Sequence, residues 1–342
     1  MALKTFHLEG SFVLQSIQIV VHIWKVAIPR GSSKEADMSM TAHDYMNLYR
    51  NLPVPVTDDA GNLKTWRTVD VHKYLLAGKD SAEGSPEHYN INNAANGMGT
   101  LGSKIKDFFN QKKGALKVTV GLSERYDCEF RSYNEAWYYA SKAFWGKACP
   151  EELQITLQLA LRLKAVNNES ELQAYCDKDT GGLAQGAVGL DCNGFVGNYL
   201  QHGLNGASWD DNKPGFRDYT ANTGIADIMQ KLGPEVKTMS DVSPLKTYVL
   251  GRVSPTSKRV INQKEGNLYA QIMVTAPFTR PGLDGGKPVW ILRVAESTAD
   301  AGLTESDYIL TWKESSIFNV NRGSKAASDP NKNILVKMRP ID

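Results

Sequence analysis

A cysteine placed where an amphipathic helix begins is the feature that most constrains this chain. The stretch 189–196 reads Gly-Leu-Asp-Cys-Asn-Gly-Phe-Val, and the preceding segment 181–187 is rich in Gly and Ala. Apolar residues follow Cys192 by three, four, seven and eight positions, which is the spacing of one helix face. The free N–H groups and the positive dipole end of a helix start favour a thiolate. The sequence therefore predicts a nucleophilic Cys192, with a buried and inert cysteine as the alternative.

The segment 191–196, Asp-Cys-Asn-Gly-Phe-Val, resembles the Asp-Cys-Ser-Gly-Phe-Val signature of NlpC/P60 proteins, the papain-like cell-wall peptidases. Asn193 stands where Ser is usual, and Gly181-Gly182 stands where the family has a Gly-rich approach. The resemblance implies an α+β fold with a papain-like core, in which the helix that begins with the nucleophile Cys192 packs on an antiparallel β-sheet. It covers the chain from about residue 170 to 340, so we expect an NlpC/P60-like domain at 166–342 after an N-terminal α/β region at 1–165 of unknown role.

A papain-like thiol enzyme also needs a base, and the family uses a His that opens the second core strand. Imidazole suits this role because its pKa lies near neutrality. The chain has one histidine after Cys192, and His202 lies ten residues along the same predicted helix. That spacing is roughly 15 Å, far beyond a hydrogen bond of about 3 Å. The resemblance instead assigns Tyr269 or Gln271 to the His position and Glu296 to the third polar position on the next strand. Glu296 is equally well interpreted as a solvated carboxylate at a strand end.

Three explanations of the missing histidine stay open. His88 or His72, from the N-terminal half, could fold back towards the thiol. Glu296 or Asp191 could support a weaker enzyme without imidazole. Finally, catalysis could be lost while the groove beside Cys192 still binds a ligand.

The resemblance therefore implies a cysteine hydrolase that cleaves peptide or amide bonds, with peptidoglycan stem peptides as the substrate class. The alternative, which belongs to another functional class, is a catalytically silent binding module that holds a peptide or glycan. A structural component of a larger assembly is the third interpretation.

Composition and charge exclude few other classes. The formal net charge is +2, and no Lys/Arg run indicates a nucleic-acid partner. Residues 10–24 carry no formal charge, but polar residues interrupt them and Ile17, Ile19, Val21 and Ile23 alternate, which predicts a strand, not a membrane span. The spacing of the four cysteines matches no zinc pattern, and we expect neither a metal nor a cofactor. Compartment and oligomeric state stay open.

Local patterns predict helices over the first half and a β-rich texture towards the C-terminus. Helices are predicted at 41–51, 103–112, 132–145, 150–165, 168–176, 192–202 and 223–232. Strands are predicted at 4–14, 16–29, 116–120, 246–253, 268–275, 288–295, 306–311 and 333–339. Residues 57–100 are predicted to be polar and loop-rich.

Overall fold

The computed structural model describes most of the chain from residue 40 onwards. The described residues are 40–58, 61–75, 86–111, 114–122, 125–176, 187–205, 221, 223–262, 265–266, 268–276, 279–298, 301–323, 329 and 331–341. The strands predicted at 4–14 and 16–29 and the glycine pair Gly181-Gly182 lie outside these residues.

One helix in the first half, α4 (Pro150–Arg162), is buried on all sides from Pro150 to Leu161. Pro150 in the first turn, followed by two glutamates, is typical of a helix start. Around it lie the helices and two hairpins of this half of the chain. They are α1 (Ala42–Arg50), β1 (Leu52–Thr57), β2 (Leu63–Val69), α2 (Pro86–Asn110), β3 (Leu116–Val120), β4 (Tyr126–Phe130), α3 (Tyr133–Ser141) and α5 (Glu171–Cys176).

Two buried glutamines on α4 satisfy backbone groups of the neighbouring strands. Gln154 accepts a hydrogen bond from the N–H of Gly121 and donates to the carbonyl of Pro53, at 3.0 and 2.6 Å. Gln158 bonds both the N–H and the carbonyl of Thr119, at 3.1 and 2.6 Å. Buried backbone groups without partners are costly, and the two glutamines supply hydrogen bonds that a further paired strand would otherwise supply.

The second half begins with α6 (Cys192–Gln201) and α7 (Ile225–Lys231) and continues as an antiparallel barrel. Its strands are β5 (Thr247–Arg252), β6 (Ile272–Thr275), β7 (Arg280–Asp284), β8 (Lys287–Thr298), β9 (Gly302–Glu314), β10 (Ile317–Asn321) and β11 (Asn333–Ile341). They are hydrogen-bonded in the order β6-β5-β11-β10-β9-β8-β7, and β6 also pairs with β8. That extra pairing closes six of the strands into a ring, while β7 forms a hairpin with β8 outside it.

The barrel wall separates two hydrophobic clusters. Met273 on β6 belongs to the barrel interior, whereas its neighbours Ile272 and Val274 belong to the core shared with the helices. The same alternation holds on β8, where Val294 faces inwards and Ala295 faces the helices. Helix α6 packs on this outer face, against β6 and β8.

The mixed helix-and-sheet class agrees with the α+β expectation, and the packing of α6 on an antiparallel sheet agrees with the predicted arrangement. The sheet closes into a six-stranded barrel, which is not the papain-like fold, so of the fold prediction only the α+β class is confirmed. The core shared with the helices includes residues from both sides of the predicted boundary at residues 165 and 166, such as Ala160 and Phe195. The assignment of 1–165 and 166–342 to two domains stays a prediction.

Most of the predicted elements are present, with ends shifted by a few residues. The expectation that residues 57–100 are loop-rich is wrong, because β2 and most of α2 lie there. Nearly every position of β2 is exposed, so it lacks the alternation that would have indicated a strand. The short strands β1, β4, β7 and β10 were also missed. None of the helices in the described parts of the chain is long and apolar enough to span a membrane.

Candidate functional site

Helix α6 begins at Cys192 because Asp191 caps its first turn and Gly194 allows a close approach of the neighbouring backbone. Asp191 is the N-cap, and its carboxylate accepts a hydrogen bond from the N–H of Gly194. A Cβ on Gly194 would lie 1.8 Å from the carbonyl oxygen of Gly146, so no larger residue fits there without movement. Gly146 itself has a φ of 68°, in the left-handed region that favours glycine.

The loop around Gly146 is attached to the first turns of α6. The N–H of Asp191 donates to the carbonyl of Gly146 at 3.1 Å, and the Asn198 amide donates to the carbonyl of Lys147 at 3.0 Å. The ammonium of Lys147 lies 2.6 Å from the Asp191 carboxylate. Asp191 and Gly194 are therefore explained by their structural contacts alone, without any catalytic role.

The Cys192 thiol is buried, with 7% of the residue exposed. Burial, and then the negative charge of Asp191, raises its pKa to about 12. The backbone N–H of Ile272, which hydrogen-bonds to the sulfur, and the charge of Lys147 act in the opposite direction. The thiolate expected from the helix dipole is thus not favoured, because desolvation outweighs the positive helix terminus.

Gln271 and Glu296 are brought together, but inside the barrel. The Gln271 amide donates to the Glu296 carboxylate at 2.7 Å, and the hydroxyl of Tyr308 and the guanidinium of Arg322 also donate to it. Glu296 is fully buried. The alternative interpretation of Glu296 as a solvated carboxylate at a strand end is therefore wrong. Gln271 is on the Met273 side of its strand, so these two side chains face the interior while Cys192 belongs to the core shared with the helices.

Tyr269 lies before β6 and is 38% exposed. Its carbonyl is 3.5 Å from a guanidinium nitrogen of Arg252. Of the residues assigned near the family's His strand, the backbone of Ile272 is the one that hydrogen-bonds to the sulfur. The catalytic roles given to Cys192, Tyr269, Gln271 and Glu296 stay predictions.

None of the histidine side chains that the structure describes is placed as a base for Cys192. His202 ends α6, and burial followed by the charge of Lys142 lowers its pKa to about 4. His72 and Cys192 lie on segments that pair in parallel through Tyr74 and Leu190, four residues apart in register, which is roughly 13 Å. His88 lies in the part of α2 whose side chains fall outside the description.

Sequence reasoning missed the arginine that completes the buried cluster. Arg322 follows Phe318 and Val320 at alternating positions, both of which belong to the barrel interior. That alternation was the available signal, but it becomes readable only once residues 317–321 are recognised as a strand.

The described residues contain no group of His, Cys, Asp and Glu side chains that could hold a metal ion. The chain matches no protein-family model, and no curated protein or solved structure is significantly similar to it.

Proposed function

We propose that this chain is a non-hydrolytic binding module with an NlpC/P60-like thiol position, and that its ligand is a peptide of the peptidoglycan stem type. The observation that carries the proposal is the environment of Cys192. The sulfur is buried with a pKa of about 12, and of the two residues assigned to the family's base position, Gln271 is bonded to Glu296 and Tyr269 is 38% exposed. A buried thiol without a base is a poor nucleophile at neutral pH.

Glu296 does not supply the missing base under this proposal. Its carboxylate accepts hydrogen bonds from Gln271, Tyr308 and Arg322, and the positive charge of Arg322 favours the ionised form. All of these groups face the barrel interior. The ligand class rests on the resemblance of residues 191–196 alone.

The cysteine hydrolase is the second candidate, and one observation favours it. The N–H of Ile272 and the ammonium of Lys147 both stabilise a negative charge on the Cys192 sulfur. A ligand that displaced water and brought its own proton acceptor could use that polarity. Under this candidate the Cys192 thiol would give its proton to that acceptor and attack the amide carbonyl, the C–N bond would break as the leaving amine takes the proton, and water would then hydrolyse the thioester to release the acid and the free thiol.

The test compares wild type with Cys192→Ala on purified peptidoglycan and on soluble stem peptides. Mass spectrometry measures cleavage, and co-sedimentation and calorimetry measure binding. We expect no cleavage by either protein and equal binding by both, because the thiol is structural. Cys128→Ala, which alters a half-buried cysteine on β4, is the matched control.

Two outcomes would contradict the proposal in different ways. Cleavage by wild type that disappears in Cys192→Ala and persists in Cys128→Ala would establish the hydrolase instead. Absence of both cleavage and binding would reject both candidates and leave a structural role.

A further inference from the structure

Two buried arginines lie at the end of the barrel that is nearest Cys192. Arg252 is the last residue of β5, and Arg322 follows the last residue of β10. They are 4% and 3% exposed. The pairing of Gly251 with Ile272 and of Arg252 with Val336 places the end of β5 beside the beginnings of β6 and β11. Strands β5 and β10 both run antiparallel to β11, which lies between them, so the two cations lie at the same end of the barrel.

Arg322 has one N–H donor without an acceptor in the described part of the chain. One terminal nitrogen pairs with Glu296, and the guanidinium carbon lies 5.3 Å from the ring centroid of Tyr308. The Nε–H is buried and has no hydrogen-bond partner among the residues that the structure describes. Glu296 already accepts three hydrogen bonds, so its carboxylate is occupied. Buried donors almost always have partners in folded proteins, so this Nε–H is a candidate donor to a bound acceptor.

Arg252 adds a second guanidinium in the same region. One of its terminal nitrogens donates to the Asn331 amide oxygen at 3.0 Å. Burial, and then the positive charge of Arg322, lowers the pKa of Arg252, which indicates that the two cations are within electrostatic range. The carboxylate of Asp329 acts in the opposite direction on Arg252. Planar guanidinium groups suit oxyanions because they donate several N–H groups in one plane.

We propose that this end of the barrel is a binding site for an oxyanion, either a carboxylate or a phosphate, held by the Nε–H of Arg322 and the guanidinium of Arg252. The thiol lies on the other face of the same part of the barrel wall, because the backbone N–H of Arg252 donates to the Gln271 carbonyl at 2.9 Å and the N–H of the next residue, Ile272, donates to the Cys192 sulfur. The proposal does not depend on a peptide ligand, since a simple anion suffices to test it.

The experiment measures the thermal unfolding midpoint and calorimetric binding in sodium acetate, sodium phosphate and sodium chloride at equal ionic strength. We expect a saturable rise of the unfolding midpoint with acetate or phosphate and not with chloride. The salt that binds more tightly shows whether the natural ligand carries a carboxylate or a phosphate. Arg252→Gln should weaken that binding at least tenfold. Arg339→Gln is the matched control, because Arg339 pairs with Val249 towards the opposite end of the barrel.

A single Arg322 substitution would leave Glu296 buried without its cation and could prevent folding. The double variant Arg322→Met/Glu296→Gln removes both charges and keeps an acceptor for Gln271 and Tyr308. We expect it to fold and to lose the anion-specific rise. Equal effects of the three salts on wild type, or an undiminished effect in Arg252→Gln, would overturn the proposal.

Discussion

Two helices of this chain begin at a buried cysteine, and they differ in what surrounds the sulfur. Cys149 is the N-cap of α4, and its sulfur accepts the N–H of Glu152 in its own helix. Cys192 is the first residue of α6, and its sulfur accepts the N–H of Ile272 from a strand 80 residues further along the chain. The first contact is local, whereas the second requires the folded barrel.

The two environments also differ in charge. Cys149 has Glu151 and Glu152 beside it with Lys142 opposing them, and its pKa is raised well above the usual value, with burial as the largest cause. Cys192 has Asp191 beside it and Lys147 opposing, and its pKa is raised to about 12. A helix terminus alone therefore does not make a reactive thiol, since burial and neighbouring carboxylates outweigh the dipole in both cases.

The largest effect on stability should come from a side chain at Gly194, where the first turn of α6 contacts the loop at Gly146. Gly194→Ala places a Cβ 1.8 Å from the Gly146 carbonyl oxygen, which is backbone and cannot rotate away. We expect a loss of more than about 3 kcal/mol in the free energy of unfolding, at the upper end of overpacking costs. Urea titration measures it.

The matched control for that substitution is Gly99→Ala on α2, where a Cβ would meet nothing within 4 Å. Alanine there should be neutral or stabilise the helix by up to about 1 kcal/mol. Similar effects of the two substitutions would mean that the loop at Gly146 is not fixed against α6.

The second prediction concerns the carboxylate beside Cys149. Burial is the largest cause that raises the pKa of Glu151 from 4.5 to about 7. A raised folded-state pKa gives stability that is present below about pH 4.5 and lost as pH rises through about 7. The difference of 2.5 pKa units corresponds to about 3 kcal/mol at most.

We therefore expect wild type to lose stability between about pH 4.5 and pH 7 through Glu151, and Glu151→Gln to remove that part of the loss. Urea unfolding at a series of pH values measures it. Glu135→Gln, in the exposed first turn of α3, is the control. A wild-type profile that Glu151→Gln leaves unchanged would show that this carboxylate is not buried as described.

The smallest effect should be on thiol reactivity. Asp191→Asn keeps an effective N-cap but removes the charge that raises the pKa of Cys192. We expect carboxamidomethylation of native Cys192 to become several times faster, since the thiolate is the reactive form, whereas the rate at Cys149 should not change. Peptide mass spectrometry after brief iodoacetamide treatment resolves the two sites.

Asp44→Asn, in the first turn of α1, is the matched control for a lost helix-start carboxylate. Faster labelling of Cys149 than of Cys192 in the wild type would reverse the comparison between the two helix starts. It would mean that accessibility, not local charge, governs both thiols.

Much of the secondary structure could be predicted from local patterns. The apolar face after Cys192 and the Pro and acidic residues at 150–152 each predict a helix start that the structure contains. The α+β class followed from helices in the first half and strands at the end. Strands β2 and β10 were not recognised, because nearly every position of β2 is exposed and β10 begins with two buried residues in succession, which breaks the alternation.

The sequence by itself determined where α6 begins, since Asp191 and Gly194 supply the cap and the close approach within four residues. It also determined that no histidine follows in the expected strand. Only the tertiary structure decided the state of the thiol, because its pKa depends on burial and on groups brought from Lys147 and Ile272. Likewise, closure of the barrel placed Gln271, Glu296 and Arg322 together in its interior, and such long-range pairing leaves no local pattern in the sequence.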